Sequence, residues 1–267
     1  MKQPLPAALP LAVVPLSADA QIVAAELAAR LDLPLLAIGT DPKKYDENTI
    51  LVLVGEDGIA LKLSGAGAPG EVAVDFGSGA MRHRRKSGNN ELLGKAVGVG
   101  KKARLSVLDA TAGLGRDSFV LADLGCEVLL SERNPVIAEL LRVGIERACT
   151  GTDSWLAEVA LRMQLLAIDA QSLGVESLAA VDVIYLDPMF PGRDKRAAVK
   201  KEMVLLQSLL GPQDDADALL EWALQQAVAR VVVKRPPRAP TLAGRAPSHC
   251  ISGKAVRYDV HVLRGLG

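Results

Sequence analysis

The sequence predicts an α/β protein in which helices cover a parallel β-sheet, preceded by a smaller α/β module. From residue 104 onward, short apolar segments alternate with amphipathic segments at helical spacing, which is the pattern of a parallel sheet packed between helices. A glycine-containing turn follows the first of these apolar segments and opens a helix, as in sheets that bind nucleotides. With 49% hydrophobic and 23% charged residues, the composition is that of a globular protein rather than a disordered or coiled-coil one.

The chain carries 31 basic and 31 acidic residues, so its formal net charge is zero. A protein of this charge does not bind nucleic acid through its overall field, and any such binding must use local basic patches. Aromatic residues make up 3% of the chain, which argues against a platform that stacks the bases of single strands.

Cysteine and histidine usage predicts neither disulfides nor a metal site. The three cysteines form no C-x-x-C pair, which favours a reducing compartment, and no two histidines have the spacing of metal ligands. No apolar run reaches about 18 residues, so the sequence predicts no membrane span. The N-terminal apolar stretch imitates an export signal, but prolines interrupt it. We therefore expect a cytoplasmic protein that does not associate with membranes.

Residues 1–76 form a predicted small N-terminal α/β module that carries no chemical motif. Ser17 is placed to cap a helix that runs to about Leu31. Short apolar runs between glycine-rich turns predict strands at residues 11–16, 34–38, 49–54, 59–64 and 71–76.

Residues 77–103 form a predicted basic connector, with the run R-H-R-R-K at residues 82–86. This run is either a solvated linker or a segment that contacts phosphates beside an active site. A short helix is predicted around Glu91–Ala96.

Residues 104–267 carry the alternating pattern of the main predicted domain. Asn134 is placed to cap a long helix that has Pro135 at its first position. Strands are predicted at residues 105–110, 127–131, 163–168, 181–186 and 230–234, a closing hairpin at 250–252 and 257–263, and further helices at 116–124, 198–210 and 216–228.

A glycine-containing loop joins the first predicted strand of this domain to its helix. Gly113 and Gly115 allow a tight turn and a close approach of the backbone to a ligand, toward which the helix N-terminus also points. Asp109 begins the loop at the end of an apolar strand, where a carboxylate requires a cation or donors. Glu132 ends the next strand, where Rossmann-type sheets hold ribose hydroxyls. The loop residues Asp109, Gly113 and Gly115 and the acid Glu132 therefore form the predicted binding site of a nucleoside cofactor.

Two cofactors fit this loop. A dinucleotide site has the fingerprint G-x-G-x-x-G/A, and Ser118 stands at its third position here. A loop that begins with an acid instead suits S-adenosylmethionine (SAM), whose amino-acid end carries an ammonium group rather than a pyrophosphate. The sequence therefore favours SAM, and a nicotinamide-dependent oxidoreductase is the alternative.

The segment Asp187-Pro188-Met189-Phe190 follows the most apolar predicted strand, at the edge of the sheet where ligands bind. Asp187 and the Pro188 carbonyl supply acceptors, and Phe190 supplies a flat apolar face. These groups suit an exocyclic amine on a flat heterocycle, because the oxygens accept its N–H groups while the ring stacks on the base. Asp187, Pro188 and Phe190 are therefore the predicted catalytic residues.

Several longer strings resemble a known family. Asp-Pro-Met-Phe is similar to the D-P-P-Y motif of class I methyltransferases that act on exocyclic amines of adenine or guanine. The strings A-T-A-G-L-G-R-D, S-E-R-N-P, Y-L-D-P-M-F-P, V-K-K-E-M, L-Q-S-L-L-G-P and V-V-V-K-R-P resemble the small-subunit ribosomal RNA guanine-N2 methyltransferases called family J. The resemblance spans roughly residues 77–264. It implies a class I methyltransferase (Rossmann-like) sheet with a small N-terminal module, and SAM-dependent methylation of guanine N2 in 16S rRNA.

The resemblance also implies roles for particular residues. Asp187 matches the aspartate of the catalytic motif and is counted with the cofactor contacts as well. The cofactor contacts further include Arg116 and Asp117 after the glycine loop, Glu132 and Arg133 after the second strand, and Gln171 and Ser172 near the adenine, with Asp169 as a rival for that last contact.

Two basic clusters follow neighbouring strands at the end of the sheet that carries Asp187. They are either solvated surfaces or a rim that positions RNA phosphates. The second interpretation predicts RNA contacts from Arg193, Lys195, Arg196, Lys234 and Arg235, together with Arg84 and Arg85 of the connector.

The expected partner is small-subunit rRNA or an assembling small ribosomal subunit. Low aromatic content and zero net charge favour a structured RNA, which is positioned by shape and a few phosphate contacts. Methylation of adenine N6 is the alternative reaction, since that amine has the same geometry. A non-catalytic RNA-binding protein is a third hypothesis, which Asp187 and Glu132 disfavour.

Overall fold

The computed structural model describes residues 9–85, 89–188, 205–210 and 215–267. The chain divides into two compact units. The described residues of the first fall within Met1–Val74 and Phe190–Gln213, and those of the second within Asp75–Met189 and Asp214–Gly267.

The first unit contains a three-stranded sheet among its described residues, in the order β1-β2-β3. Strand β1 is parallel to β2, and β2 is antiparallel to β3. Ala12, Val14, Leu51 and Leu53 are buried together on this sheet. The elements are β1 (Leu11–Pro15), helix α1 (Gln21–Leu31), β2 (Ile50–Gly55) and β3 (Gly58–Leu63).

Two predicted strands of this unit are wrong. Within residues 34–38 pairing is confined to a bridge between Leu35 and Val13, and within 71–76 to a bridge between Val72 and Leu61. Each segment meets a neighbouring strand for a single residue pair and then turns away, so no ladder develops. Helix α1 begins at Gln21, later than predicted, and the Ser17 hydroxyl accepts from the N–H of Ala20 at 3.4 Å in the turn before it.

The second unit confirms the predicted α/β class. Its described strands form a seven-stranded sheet in the order β6-β5-β4-β7-β8-β10-β9. The first five strands of this order run parallel, and β10 pairs antiparallel with both β8 and β9. The strands are β4 (Ser106–Asp109), β5 (Glu127–Ser131), β6 (Met163–Leu166), β7 (Val183–Leu186), β8 (Arg230–Arg235), β9 (His249–Ser252) and β10 (Arg257–Val262).

The helices of the second unit follow the prediction in part. Helix α5 begins as expected, because the side chain of Asn134 accepts from the N–H groups of Val136 and Ile137. Helices α2, α6 and α7 have no predicted counterpart. In the first unit, residues 205–210 are helical, and the rest of the predicted helix at 198–210 lies outside the described residues. The helices are α2 (Gly79–Arg85), α3 (Asn89–Val97), α4 (Arg116–Asp123), α5 (Pro135–Thr150), α6 (Ser154–Ala160), α7 (Val175–Leu178) and α8 (Ala216–Leu224).

Residues 75–103, most of which the sequence presents as a connector, fall within the second unit. Leu93, Ala96 and Val97 of α3 are almost fully buried, and α3 lies against β8, β9 and β10. Apolar burial therefore makes this helix part of the packed structure of that unit.

The order of the parallel strands reverses between β4 and β7, which is the topological switch point where open α/β sheets bind ligands. Asp109 ends β4, Glu132 follows β5 and Asp187 follows β7, so the three carboxylates lie at the same edge of the sheet. No helix in the described part of the chain is long and apolar enough to cross a membrane.

We predict that Gly115→Ala destabilises the protein more than Gly100→Ala. Both glycines have a positive φ, so each substitution strains the backbone by about 1–2 kcal/mol. A Cβ at residue 115 would also lie 2.6 Å from Cδ1 of buried Leu141, whereas residue 100 faces open space. Overpacking adds about 1–3 kcal/mol to the loss for Gly115→Ala, measured by urea unfolding. Equal losses would contradict this packing role.

Candidate active site

The two glycines of the loop have different surroundings. A Cβ on Gly113 would find only the Thr111 carbonyl oxygen within 4 Å, at 3.9 Å, so the backbone there is open to a ligand. A Cβ on Gly115 would meet Leu141 and Phe76 of the core. The predicted close approach of backbone to ligand therefore fits Gly113, and Gly115 serves the packing beneath the loop.

Asp109 holds the loop from below. Its side chain is buried, the Ser118 hydroxyl donates to Oδ2 at 2.5 Å, and the N–H of Thr111 donates to Oδ1 at 3.1 Å. Burial raises the pKa of the Asp109 carboxyl from 3.8 to about 6, although these hydrogen bonds oppose the rise. Asp109 thus connects the end of β4 to the first turns of the loop and of α4.

Glu132 connects the same loop to β5. Its carboxylate is 8% exposed and accepts the N–H of Gly113 at 2.8 Å and the N–H of Asn134 at 2.7 Å. Burial raises the pKa of Glu132 above its ordinary value, and these backbone donors oppose the rise. Carboxylate oxygens have further acceptor capacity, so Glu132 fits the predicted contact with ribose hydroxyls while it shapes the loop.

The predicted adenine side is organised by ion pairs. Arg133 pairs with Asp215, which precedes α8, and its Nη1 lies 3.6 Å from Oδ2 of Asp169. The hydrogen bond with Asp215 raises the pKa of Arg133. Asp169 also accepts the N–H of Gln171, and the side chains of Gln171 and Ser172 are exposed. The predicted residues of this side therefore lie near one another, and no sequence pattern pointed to Asp215.

Asp187 is joined to the glycine loop through its backbone. Its N–H donates to Oγ1 of Thr111 at 2.7 Å, and its Oδ2 accepts from Nζ of Lys234, also at 2.7 Å. The Asp187 side chain is 36% exposed and therefore accessible at the sheet edge, and the next residue, Pro188, is buried. Phe190, the third predicted catalytic residue, lies outside the described residues.

Asp117 faces the interior rather than open space. It is 7% exposed, and its Oδ2 accepts the Tyr185 hydroxyl at 2.6 Å and Nζ of Lys234 at 2.7 Å, while its Oδ1 pairs with Arg84. These partners argue against the predicted direct contact of Asp117 with the cofactor. Its neighbour Arg116 is exposed. The sequence signal for these contacts was Tyr185, because a tyrosine hydroxyl buried in an apolar strand requires a hydrogen-bond partner.

The structure argues against one predicted RNA contact and gives two others partners inside the protein. Arg235 is 4% exposed and donates to the Pro240 carbonyl at 2.5 Å, so its burial argues against a phosphate contact. Arg84 and Lys234 are partly exposed but bind carboxylates within the unit. The side chain of Arg85 and all of Arg193, Lys195 and Arg196 lie outside the described residues, so those contacts remain predictions.

A glycine loop open to a ligand, an acid after the next strand and an acidic motif after the central strand together define the class of SAM-dependent methyltransferases with a class I sheet. Residues 38–263 match a family model described as a putative SAM-dependent methyltransferase. A crystal structure of a SAM-dependent methyltransferase from Neisseria gonorrhoeae is 35% identical, covers 96% of this chain and 97% of its own, and superposes with a TM-score of 0.70. The chain belongs to this SAM-dependent methyltransferase family.

Its curated relatives carry a more specific name. A protein of Pseudomonas aeruginosa (strain UCBPP-PA14) named ribosomal RNA small subunit methyltransferase J is 50% identical over 255 residues, which is 94% of each chain. A protein of the same name from Thioalkalivibrio sulfidiphilus is 49% identical over 250 residues, covering 92% of this chain and 95% of its own.

The residues of this chain fit SAM as the cofactor. The open backbone at Gly113 leaves room beside the loop, and the Glu132 carboxylate suits vicinal hydroxyls. The described residues contain no group of three or more His, Cys, Asp or Glu side chains arranged to hold a metal ion. Ser118, at the third position of a dinucleotide fingerprint, is fully buried and bonded to Asp109, so a phosphate does not reach it.

We predict that Glu132→Ala raises the dissociation constant for SAM at least tenfold. The substitution removes the predicted ribose hydrogen bonds, each worth about 1.5–3 kcal/mol when charge-assisted, and frees the N–H of Gly113. Calorimetry measures the change. Glu146→Ala on the exposed face of α5 is the control and keeps the affinity of the unmodified protein. Unchanged affinity in Glu132→Ala would remove Glu132 from the cofactor site.

We also predict that Asp109→Asn alters the pH dependence of stability. Because folding raises the pKa of Asp109 from 3.8 to about 6, its contribution to stability is present below about pH 4 and is lost as the pH rises through about 6. Asparagine lacks this loss. The stability of Asp109→Asn relative to the unmodified protein therefore increases between about pH 4 and pH 8, by on the order of 3 kcal/mol. A difference in unfolding free energy that stays constant with pH would contradict the shift.

Proposed function

We propose that the protein transfers the methyl group of SAM to the exocyclic N2 of a guanine in 16S (small-subunit) rRNA. Membership of the SAM-dependent methyltransferase family supports the reaction and the cofactor. The name shared by the relatives supports small-subunit rRNA as the substrate. The position of Asp187 is the observation that favours an amine as the methyl acceptor. Its carboxylate is partly exposed at the carboxyl end of β7, and its backbone N–H is bonded to the glycine loop.

The chemical difficulty lies in the nucleophile. The lone pair of an exocyclic amine is delocalised into the base, so the nitrogen attacks weakly unless it is held out of the plane. The Asp187 carboxylate and the Pro188 carbonyl accept the N–H groups and orient the lone pair toward the methyl carbon, which is positioning with electrostatic stabilisation. When bound, SAM would supply an electrophilic methyl group with S-adenosylhomocysteine as its leaving group, and the methylated nitrogen would release its proton to Asp187 or to water.

The hydrogen bond from the N–H of Asp187 to Oγ1 of Thr111 restricts the position of the amine relative to the cofactor. Thr111 belongs to the glycine loop, and Asp187 begins the motif that receives the base, so a single 2.7 Å hydrogen bond joins the cofactor side to the amine side. Reacting atoms need alignment within a few tenths of an ångström, and a shared hydrogen bond restricts the relative motion of the two segments.

The other hypotheses fit less well. Family membership and the buried Ser118 disfavour a nicotinamide-dependent oxidoreductase. A non-catalytic RNA-binding protein gives no reason for a partly exposed carboxylate beside the glycine loop. Methylation of adenine N6 uses the same amine geometry, and guanine N2 is preferred because several strings along the chain together resemble family J. We infer a cytoplasmic location from the proposed substrate, which is rRNA or an assembling small subunit.

The test is nucleoside and fragment mass spectrometry of small-subunit rRNA from a strain that lacks this protein. One N2-methylguanine disappears and returns with the intact gene or with Asp182→Asn, an aspartate at the opposite end of β7. Asp187→Ala does not restore it, although that protein still binds SAM in calorimetry. If the missing mark is N6-methyladenine, or lies on DNA or transfer RNA, the proposed substrate is wrong.

A further inference from the structure

Lys234 is bound by two carboxylates that belong to different elements. Its Nζ lies 2.7 Å from Oδ2 of Asp187 and 2.7 Å from Oδ2 of Asp117. The register of the sheet produces this contact, because Leu186 pairs with Val233 and the next residues along the two parallel strands are Asp187 and Lys234. The Lys234 side chain is 26% exposed, so the ammonium lies mostly inside the unit.

Asp117 is itself held in place by other groups. The Tyr185 hydroxyl of β7 donates to the same oxygen of Asp117 that binds Lys234, and Arg84 of α2 pairs with the other oxygen. The cluster of Arg84, Asp117, Asp187 and Lys234 balances its cations against its carboxylates. Such a network is stable only when every member is paired, so each member restricts the others.

We propose that Lys234 is a positioning residue for methyl transfer: anchored by Asp117, it holds the Asp187 carboxylate in the orientation that receives the exocyclic amine. The inference rests on the proposed function and goes beyond it, because it assigns Lys234 and Asp117 to the amine side. Oδ2 of Asp187 is bound to Lys234, which fixes the rotation of the carboxylate and directs its second oxygen.

This assignment differs from the roles predicted from sequence for both residues. As a phosphate contact, Lys234 would have to leave both carboxylates, and the buried Asp117 would lose one of its two cations. As a cofactor contact, Asp117 would have to turn from Arg84, Tyr185 and Lys234. The positioning role needs neither rearrangement.

The experiment compares Lys234→Met, Lys234→Arg and Asp117→Asn with the unmodified protein in radiolabelled methyl transfer. Lys102→Met is the matched control, since Lys102 binds Asp182 at 2.8 Å at the opposite end of β7. The kcat, the KM for RNA, the salt dependence of RNA binding and the affinity for SAM are measured for each. Retained SAM affinity shows that a variant is folded around its cofactor site.

Loss of a charge-assisted hydrogen bond corresponds to a fall in rate of about 10- to 100-fold. We expect this fall in kcat for Lys234→Met and Asp117→Asn, with the KM for RNA, the salt dependence and the SAM affinity unchanged. Lys234→Arg keeps the cation and retains more of the kcat than Lys234→Met. Lys102→Met keeps the kcat of the unmodified protein.

Other results would overturn the inference. A higher KM for RNA and a flatter salt dependence in Lys234→Met, with kcat unchanged, would make Lys234 a phosphate contact. Weaker SAM binding in Asp117→Asn would make Asp117 a cofactor contact. If the unmodified protein labels another RNA instead of small-subunit rRNA, the proposed substrate fails, and the same comparison on that RNA still decides the role of Lys234.

Discussion

The carboxylates of Asp109, Asp117 and Glu132 are each less than a tenth exposed, and the arrangement of the site depends on how they are stabilised. A buried carboxylate is costly unless donors or cations surround it. Each finds its partners on a different element, so satisfying these charges also fixes the loop, the strand ends and the helices relative to one another. Removing one partner would leave a buried carboxylate with fewer donors and would loosen the element that the partner belongs to.

The same constraint divides the site into two sides. Glu132 accepts backbone N–H groups and shapes the loop beside the predicted ribose contact. Asp117 instead pairs with Arg84 and with Lys234, and Lys234 also binds Asp187. Thr111 joins the sides through one hydrogen bond. Methyl transfer requires the two substrates to be aligned along one axis. Contacts shared between the two sides of the site restrict their relative motion and so favour that alignment.

Several basic side chains of this neutral protein bind groups inside the second unit rather than face solvent. Arg84 and Lys234 neutralise carboxylates, and Arg235 is buried beneath the Pro240 carbonyl. The number of basic residues in a sequence is therefore larger than the number that can contact phosphates, because some of them pair with buried acidic residues. Contacts to a structured RNA must rely on the remaining basic residues and on complementarity of shape.

The sequence predicts the alternation of strands and helices, the cap at Asn134 and the places where carboxylates follow strands, because each of these leaves a local pattern. It did not determine the partners of those carboxylates. Lys234 is 47 residues from Asp187, and Arg84 is 33 residues from Asp117. Pairing over such separations leaves no periodicity or motif in the sequence. The partner of each carboxylate is set by strand register and helix packing, which bring distant side chains together.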